Sequence, residues 1–584
     1  MTKKDFFAKK LLATIILTIP FYLFSQEETI NTNVEVIREY NPVISDAFKI
    51  NDMPSPSDTL KFNPFFRYQL KGKALVAPPE MIPLSPAKLA KEPLDNLYPA
   101  YIKAYAGYYQ IIGGQLVYNL VRNEKFAMTF NASHESALDY VKPDKIEDVE
   151  ACYHETNAGL KMRHFFGTST LSVDMDFNNF AYRYYGLETL DNDFSETKQR
   201  LSLFDINMRL NNRVLRNETY YDVLLGFYTF GNRTGVSENS FKYKGNFDFP
   251  LNDFTFRIES AVDYAGTRND KIILTDLPLY YNFEERSQTL IQVNPSVLMK
   301  HKNFLIKLGL RIGAGFDTFE EKDKFYLSPD VAINFTVEDV VMLQTGLTGD
   351  IKQNNYRTVI AENPFISPDL NVKTAFHNLI FFAGIKGNFS SKTSFSARFE
   401  YGAFSNEHFF VNKVFSSSSP PGTFYYFNNK FDVDYDDGRL MTVSGEIKSK
   451  ILHNFDISLR AAHYSSKLDT LEKPWHKPDM ELGLRLNYKA TRDLHFTAAF
   501  NVLSKRYAKI PPEYIVRQAN YNENIIIEKL APIFDFNIGV NYTLNSRWHF
   551  FTTVQNIFMS KHYMYWHGYP MHGINARIGA GFSF

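Results

Sequence analysis

From Ala100 to the last residue, apolar and polar side chains alternate with a period of two. Phe304, Ile306, Leu308, Leu310, Ile312, Ala314 and Phe316 interleave with Lys307, Gly309, Arg311 and Gly313. Met480, Leu482, Leu484, Leu486 and Tyr488 interleave with Glu481, Gly483, Arg485, Asn487 and Lys489, and Phe534 to Leu544 repeats the pattern around Asp535, Asn537 and Asn541. Successive side chains of a strand point to opposite faces, so each run predicts a strand with one apolar and one polar or tiny face. These runs reach about ten residues or more, where strands of soluble proteins average about five or six.

Short polar turns separate the runs near Asn123-Glu124, Phe166-Gly167, Arg213 to Asn217, Pro250 to Asn252, His301 to Asn303, Glu338-Asp339, Ser390-Ser391, His453-Asn454, Thr491-Arg492 and Asn545-Ser546. Longer polar or aromatic connections lie between them, the longest expected around Ser416 to Gly422. Ten short turns join twenty strands, and a first strand from Ala100 and a last to Phe584 bring the count to about twenty-two. Short and long connections in alternation, long strands and an even count predict an all-β fold: a transmembrane antiparallel β-barrel of the outer-membrane type, over residues 98–584. Its lipid face is apolar and its lumen polar, which explains a mean hydropathy of only −0.29 beside 36 Tyr and 53 Phe, enough for aromatic girdles at two interfaces. A lumen as wide as twenty-two strands enclose needs filling.

The amino-terminus reads as a secretory signal over residues 1–25. Lys3, Lys4, Lys9 and Lys10 precede an apolar stretch from Leu11 to Phe24, and Ser25 is a small residue suited to cleavage. Residues 26–97 differ from all that follows. They are rich in proline (Pro78, Pro79, Pro83, Pro86, Pro93) and alternate only at Val34-Glu35-Val36-Ile37. This predicts an extended periplasmic segment, with Val34, Val36 and Ile37 as a strand suited to adding onto a partner's sheet edge, or else a plain linker or a strand tucked into the lumen.

Net charge is zero, which gives no electrostatic case for nucleic acid. One cysteine, Cys152, excludes an internal disulfide. No Gly-x-Ser-x-Gly, His-Glu-x-x-His or phosphate-binding glycine loop is present, so neither enzymatic activity nor a cofactor is expected. The last long connection carries His562, His567 and His572 with Met564 and Met571, a set that suits copper or haem or is simply an interfacial aromatic loop. Asp432, Asp434 and Asp436 begin like a calcium loop, but Asp437 and Val443 stand where such a loop has Gly and Glu, leaving loose divalent-cation binding or a solvated acidic stretch. Lys307, Arg311, Arg460, Arg485, Lys489, Asp535 and Arg577 fall on the polar, lumen-facing side, as a solute path or as a bracing network.

Two resemblances add to this reading. The closing run Ala576 to Phe584 ends on an aromatic residue and resembles the terminal signature of Gram-negative outer-membrane proteins. That implies insertion by the barrel-assembly machinery through Phe584 and a surround of outer-membrane lipid and lipopolysaccharide. Val554-Gln555-Asn556-Ile557-Phe558 with Tyr563, together with Val34 to Pro42, Asp46 to Asn51 and Glu92-Pro93-Leu94, resembles TonB-dependent-receptor-like outer-membrane proteins. The resemblance implies a barrel that binds or admits a solute. The chain departs from those receptors in having about seventy Pro-rich residues where they carry a globular plug of well over a hundred. Inward-folded loops, the amino-terminal segment or a plug-bearing or periplasmic partner are therefore expected to fill the lumen, and a non-transporting scaffold within an outer-membrane complex is the alternative function.

Overall fold

In the computed structural model, the described residues are 98–138, 140–141, 149–186, 198–213, 218–269, 285–318, 324–338, 340–418, 424–510, 526–558 and 564–584. The expected signal over residues 1–25, the segment 26–97 and the strand expected at Val34, Val36 and Ile37 lie outside them.

Twenty-two strands form one closed antiparallel sheet. The first, Ala100–Gly107, pairs on one side with Ile111–Arg122 and on the other with the last, Asn575–Ser583. At that seam Phe584 N–H donates to the Ala100 carbonyl (2.9 Å) and Ala100 N–H to the Phe584 carbonyl (3.0 Å), so the final residue completes the closure. Closure gives each of the twenty-two strands a neighbour on both sides within the wall, the condition for β-structure in lipid.

All ten short turns fall between successive strand ends, with residues 214–217 and 339 outside the described ones. Several use a left-handed residue: Gly167, Asn252, Lys302 and Glu338 have φ of 48–54°, which the tight reversal demands. With these turns periplasmic, the long connections are extracellular. The alternating faces sort as the pattern requires. Phe304, Leu308, Leu310, Ile312 and Phe316 are exposed on the outer surface, while Lys307 and Arg311 of the same strand reach inward to Asp330, Lys307 at 2.5 Å.

One connection differs from expectation. Residues 416–418 belong to a strand and not to a loop. The strands Thr393–Ser418 and Phe424–Leu452 run on as a hairpin, joined by only residues 419–423. Below it, Phe404 pairs with Gly438 in the barrel wall; beyond, from Glu407 opposite Asp436, the hairpin leaves its neighbours and stands out on the extracellular side. The reason is in the text on both sides of the tip: His408-Phe409-Phe410-Val411 and Phe431-Asp432-Val433-Asp434-Tyr435 are aromatic and β-branched, and favour pairing over a loop.

Candidate functional site: a lid across the extracellular mouth

The extracellular ends of the strands enclose a packed apolar cluster. On one side it takes inward-facing side chains of the fifth to eighth barrel strands: Tyr182, Leu201, Phe230 and Val236. On the other it takes Phe410 and Phe431 of the hairpin, which belongs to the fifteenth and sixteenth strands, about half-way round the barrel. Tyr356, Val359, Ile360, Ile366 and Leu370 of connection 353–374, and Trp566 and Tyr569 of connection 556–574, fill the space between. Two connections thus fold inward and form a lid over the mouth.

Connection 353–374 holds the one helix among the described residues, Tyr356–Glu362, capped by Asn355, whose side chain accepts from Thr358 N–H. A wall carboxylate fixes its start. Glu238, fully buried on the eighth strand, accepts from the N–H groups of Tyr356 (2.8 Å) and Arg357 (3.1 Å) and from the hydroxyls of Tyr228 (2.9 Å) and Thr267 (2.8 Å). Two free helix donors and a positive dipole end meet a negative charge, which is why a buried carboxylate is tolerated here. Arg357 pairs with Asp205 of the wall at 2.7 Å and lies over the Tyr228 ring.

Past the helix, the connection reaches the far side. Tyr182 and Tyr184 donate hydroxyl hydrogen bonds to the carbonyls of Pro364 and Ile366. Ile366 bridges to Phe431 in parallel, with Ser367 N–H donating to the Phe431 carbonyl at 2.7 Å and Phe431 N–H to that of Phe365 at 2.9 Å. From wall to wall, the path consists of non-covalent contacts.

The last connection locks onto this bridge by aromatic stacking. The Tyr569 ring lies 3.6 Å from that of Phe365, and Trp566 meets Phe410 edge-on at 4.9 Å. Tyr569 fits because residue 186 is glycine: a Cβ there would lie 2.5 Å from its ring.

A third extracellular connection supplies a residue that the sequence reading missed. His476 is fully buried and left-handed (φ 61°), a costly backbone for a residue with a side chain. Its Nδ1 is 2.9 Å from the Phe410 carbonyl, and its Nε2 accepts from His567 N–H at 3.3 Å, so the neutral ring joins hairpin to last connection as donor and acceptor at once. Burial, above all, lowers its pKa to about 3; the Phe410 carbonyl opposes this, while His567 and Arg506 add to it. The signal that marks it in the sequence is Pro474-Trp475-His476-Lys477-Pro478, a rare Trp beside a His between two prolines.

Carboxylates brace the same region. Burial works to raise the Glu407 pKa, but Lys477, bonded at 2.8 Å, together with Lys352 and His408, outweighs it and brings Glu407 to about 2. Glu362 is lowered likewise, against its burial, by His408 at 2.8 Å and by Lys477 and Lys352.

The other candidate residues are dispersed. His567 Nε2 is 3.1 Å from Glu528, and the His572 ring lies 4.6 Å from that of Tyr109; His562 lies outside the described residues. Asp432 pairs with Lys413 at 3.1 Å and Asp434 with Lys509 at 2.6 Å, whereas Asp436 accepts from Thr470 and Leu471. Each Asp thus has a partner of its own, and no group of three His, Cys, Asp or Glu side chains placed to hold a metal occurs among the described residues. In the lumen, Arg577 pairs with Glu135 at 2.7 Å, and Glu135 also accepts from Tyr105 and Tyr153. Asp535 accepts from Asn501 and Asn537. Arg460 and Lys489 are exposed, as is Arg485, which lies across from Ser458.

No protein-family model matches the chain, and no curated protein does. Solved structures do. The FrpB iron transporter from Neisseria meningitidis and the siderophore receptor PirA from Acinetobacter baumannii each superpose with a TM-score of 0.62 at 10% identity. Both alignments cover 84% of this chain, with 82% and 81% of the respective partner. The copper transporter OprC gives 0.59 at 13% identity, over 84% and 81%. The chain therefore has the twenty-two-stranded barrel fold of TonB-dependent outer-membrane receptors.

Proposed function

We propose that this chain is a receptor-like barrel of the outer membrane that binds a solute at its lidded extracellular mouth and admits it to the lumen. The observation that carries the reading is the lid itself. It spans the mouth from the fifth strand to the sixteenth through hydrogen bonds and ring stacks, contacts of the size that a bound ligand can replace. The likeness in fold to an iron transporter, a siderophore receptor and a copper transporter supports a metal-bearing solute as the first class to test. The lumen below, where Lys307, Arg311 and Arg577 are matched by Asp330 and Glu135, carries both signs of charge and suits a polar solute.

The test replaces residues 356–372 by a Gly-Ser linker of equal length and compares single-channel conductance in planar bilayers. The native barrel is expected to be almost silent and the variant to conduct in large steps. If the variant inserts, keeps its heat-modifiable mobility and remains silent, the lid does not gate a path and the reading fails.

The alternative, a scaffold subunit of a larger outer-membrane complex, draws support from the extent of the aromatic packing that closes the mouth. It predicts a partner at equal stoichiometry after gentle purification. The segment containing Val34, Val36 and Ile37 fits that role as a strand that docks onto a periplasmic protein. Deleting residues 27–53 with the signal kept is then expected to leave the barrel inserted and strip its periplasmic partners; unchanged co-purification would refute the docking.

A further inference from the structure

Each strand of the wall has two neighbours, but one pairing stops short. The twelfth strand, Lys324–Val337, pairs with the eleventh from Lys324 opposite Gly315 down to Phe335 opposite Phe304. With the thirteenth, Val341–Lys352, it pairs only from Val337 up to Val331, which stands opposite Leu347. Above that point the thirteenth strand runs on to Lys352 beside the fourteenth, after a register shift between Thr348 and Asp350.

Two residues account for the parting. Thr336 N–H donates to the Asn303 carbonyl beside the eleventh strand, so the odd-numbered residues of the twelfth bond toward the thirteenth. Pro329 is one of these and has no N–H to give. Gly349 stands at the register shift on the other side, where a Cβ would collide with the Tyr326 hydroxyl. From there the thirteenth strand leans toward the lumen, and Ile351 lies against Gly313 of the eleventh, where a Cβ would come within 2.6 Å of it. Side chains span the split in place of the ladder. The Tyr326 hydroxyl donates to the His377 carbonyl at 2.8 Å, and that of Thr348 to Asp330 at 3.4 Å.

The split faces lipid. Leu327 lies opposite Ile312 and Phe325 opposite Ala314, on the strand that carries the lipid-facing Leu308, Leu310 and Phe316. Those three are 39–47% exposed, whereas Phe325 is 81% and Leu327 69% exposed, because one flank has no strand beside it. Their backbone groups point into the gap, and among the described residues none bonds to the thirteenth strand. An open edge at membrane depth is tolerated only where something covers it. Behind the gap, Leu290, Tyr326, Ile351 and Phe376 form a buried apolar cluster on the lumen side. Cations surround it. Lys307 and Arg311 share Asp330, Arg311 lies 3.8 Å from Asp350, and Lys324 Nζ stands 5.4 Å from the Phe376 ring. Arg311 Nε is buried, 3.6 Å from Asp330, and makes no hydrogen bond.

We propose that this split is a lateral binding site for a single-chain anionic amphiphile of the fatty-acid class, entered from the outer leaflet. The chain lies against Phe325 and Leu327 and, with Tyr326 turned aside, reaches Leu290, Ile351 and Phe376; the carboxylate meets Arg311 and Lys324. Apolar surface on both sides of a broken ladder suits a hydrocarbon chain, and a buried guanidinium donor among excess cations suits a carboxylate. The wedge narrows toward Val331, where the strands regain their normal spacing of about 5 Å, so it takes one chain and excludes a two-chain phospholipid. The site belongs to the wall and not to the lid, and stands independently of the polar solute proposed for the mouth.

The experiment uses the full chain, purified from outer membranes and placed in nanodiscs. Palmitic acid carrying a diazirine is photolysed with it, and the labelled residues are mapped by peptide mass spectrometry. Phosphatidylcholine with the same diazirine chain and the matching palmityl alcohol serve as comparisons. All three probes are expected to label Phe325 and Leu327, but the acid is expected to label Leu290, Ile351 and Phe376 about tenfold more than either of the others, given its charge-assisted contacts. Equal labelling of the inner residues by acid and phospholipid means ordinary bilayer contact and overturns the proposal, as does the absence of inner labelling. The double variant Arg311→Gln, Lys324→Gln is expected to lose the advantage of acid over alcohol; an advantage kept in full overturns the role of the cations. Lys324→Gln alone, which leaves the Asp330 and Asp350 pairs intact, is expected to lose part of it, and heat-modifiable mobility checks that each barrel is folded. The barrel with residues 356–372 replaced is expected to label as native does. Inner labelling that appears only in that variant would mean entry through the mouth and would overturn the lateral site, whatever its conductance.

Discussion

At the scale of single residues, the lid depends on His476 staying neutral. Protonation at Nε2 would remove the acceptor that His567 N–H uses and set two donors against each other in a buried site next to Arg506. The sign follows from a folded pKa near 3 against about 6.5 in open chain: the closed lid has its full stability above about pH 6.5 and loses up to about 1.4 kcal/mol per pH unit as pH falls toward 3. Glu407, lowered to about 2, acts in the same direction but lower, its contribution being lost as pH falls from about 4.5 toward 2. Conductance in bilayers is therefore expected to rise on acidification in two stages. His476→Gln, whose amide both donates and accepts, should abolish the stage above about pH 4.5 and spare the lower one. A single transition left untouched by the variant would show that His476 does not control closure. Little of this was legible in sequence, because a histidine's role depends on which carbonyl and which amide its two nitrogens meet, and Phe410 and His567 lie 66 and 91 residues away.

At the scale of elements, a seven-residue helix is too short to persist by itself, and Tyr356–Glu362 stands because its ends are held. Replacing Glu238 with Ala orphans two helix N–H groups and the hydroxyls of Tyr228 and Thr267, at a cost of about 1–3 kcal/mol for each buried group left unmatched. The expected result is loss of hydrogen-exchange protection at Val359 and Asn363, whose N–H groups bond within this turn, with barrel strands unchanged. Protection retained in the variant would mean that the Asn355 cap and the packing of Tyr356 suffice. The hairpin shows the opposite balance: Ser- and Pro-rich text around residue 420 reads as loop, yet the strands continue on both sides because aromatic and β-branched residues there gain more from pairing.

At the scale of the whole molecule, the barrel is one sheet closed on itself, so its integrity depends on a single seam. Phe584 contributes both of its backbone groups to Ala100 there. Deleting Phe584 removes those two bonds and the terminal aromatic, and is expected to lower the amount of heat-modifiable barrel in outer membranes while total synthesis is unchanged. An undiminished folded fraction would show that the seam between Tyr101 and Ser583 suffices without it.

The sequence by itself determined the barrel: its all-β class, its strand count and its ten periplasmic turns, with polar residues inward. These are local properties. The period-two alternation of Phe304 to Phe316 settles which side chain faces lipid whatever the neighbouring strands are, and Gly167 or Asn252 settles a reversal from its own φ. Which segment closes the mouth is a different kind of fact. Glu238 and Tyr356 are 118 residues apart, and Tyr182 and Pro364 are 182 apart. They meet because the closed sheet brings the eighth strand and the connection after the thirteenth to one rim, and no periodicity in the chain encodes that distance. The metal-like text at His567 and His572 and at Asp432, Asp434 and Asp436 has the same character. Residue type and spacing suggest a shared ligand, but the tertiary structure gives each of these side chains a separate partner, because strand register and loop path decide which atoms converge.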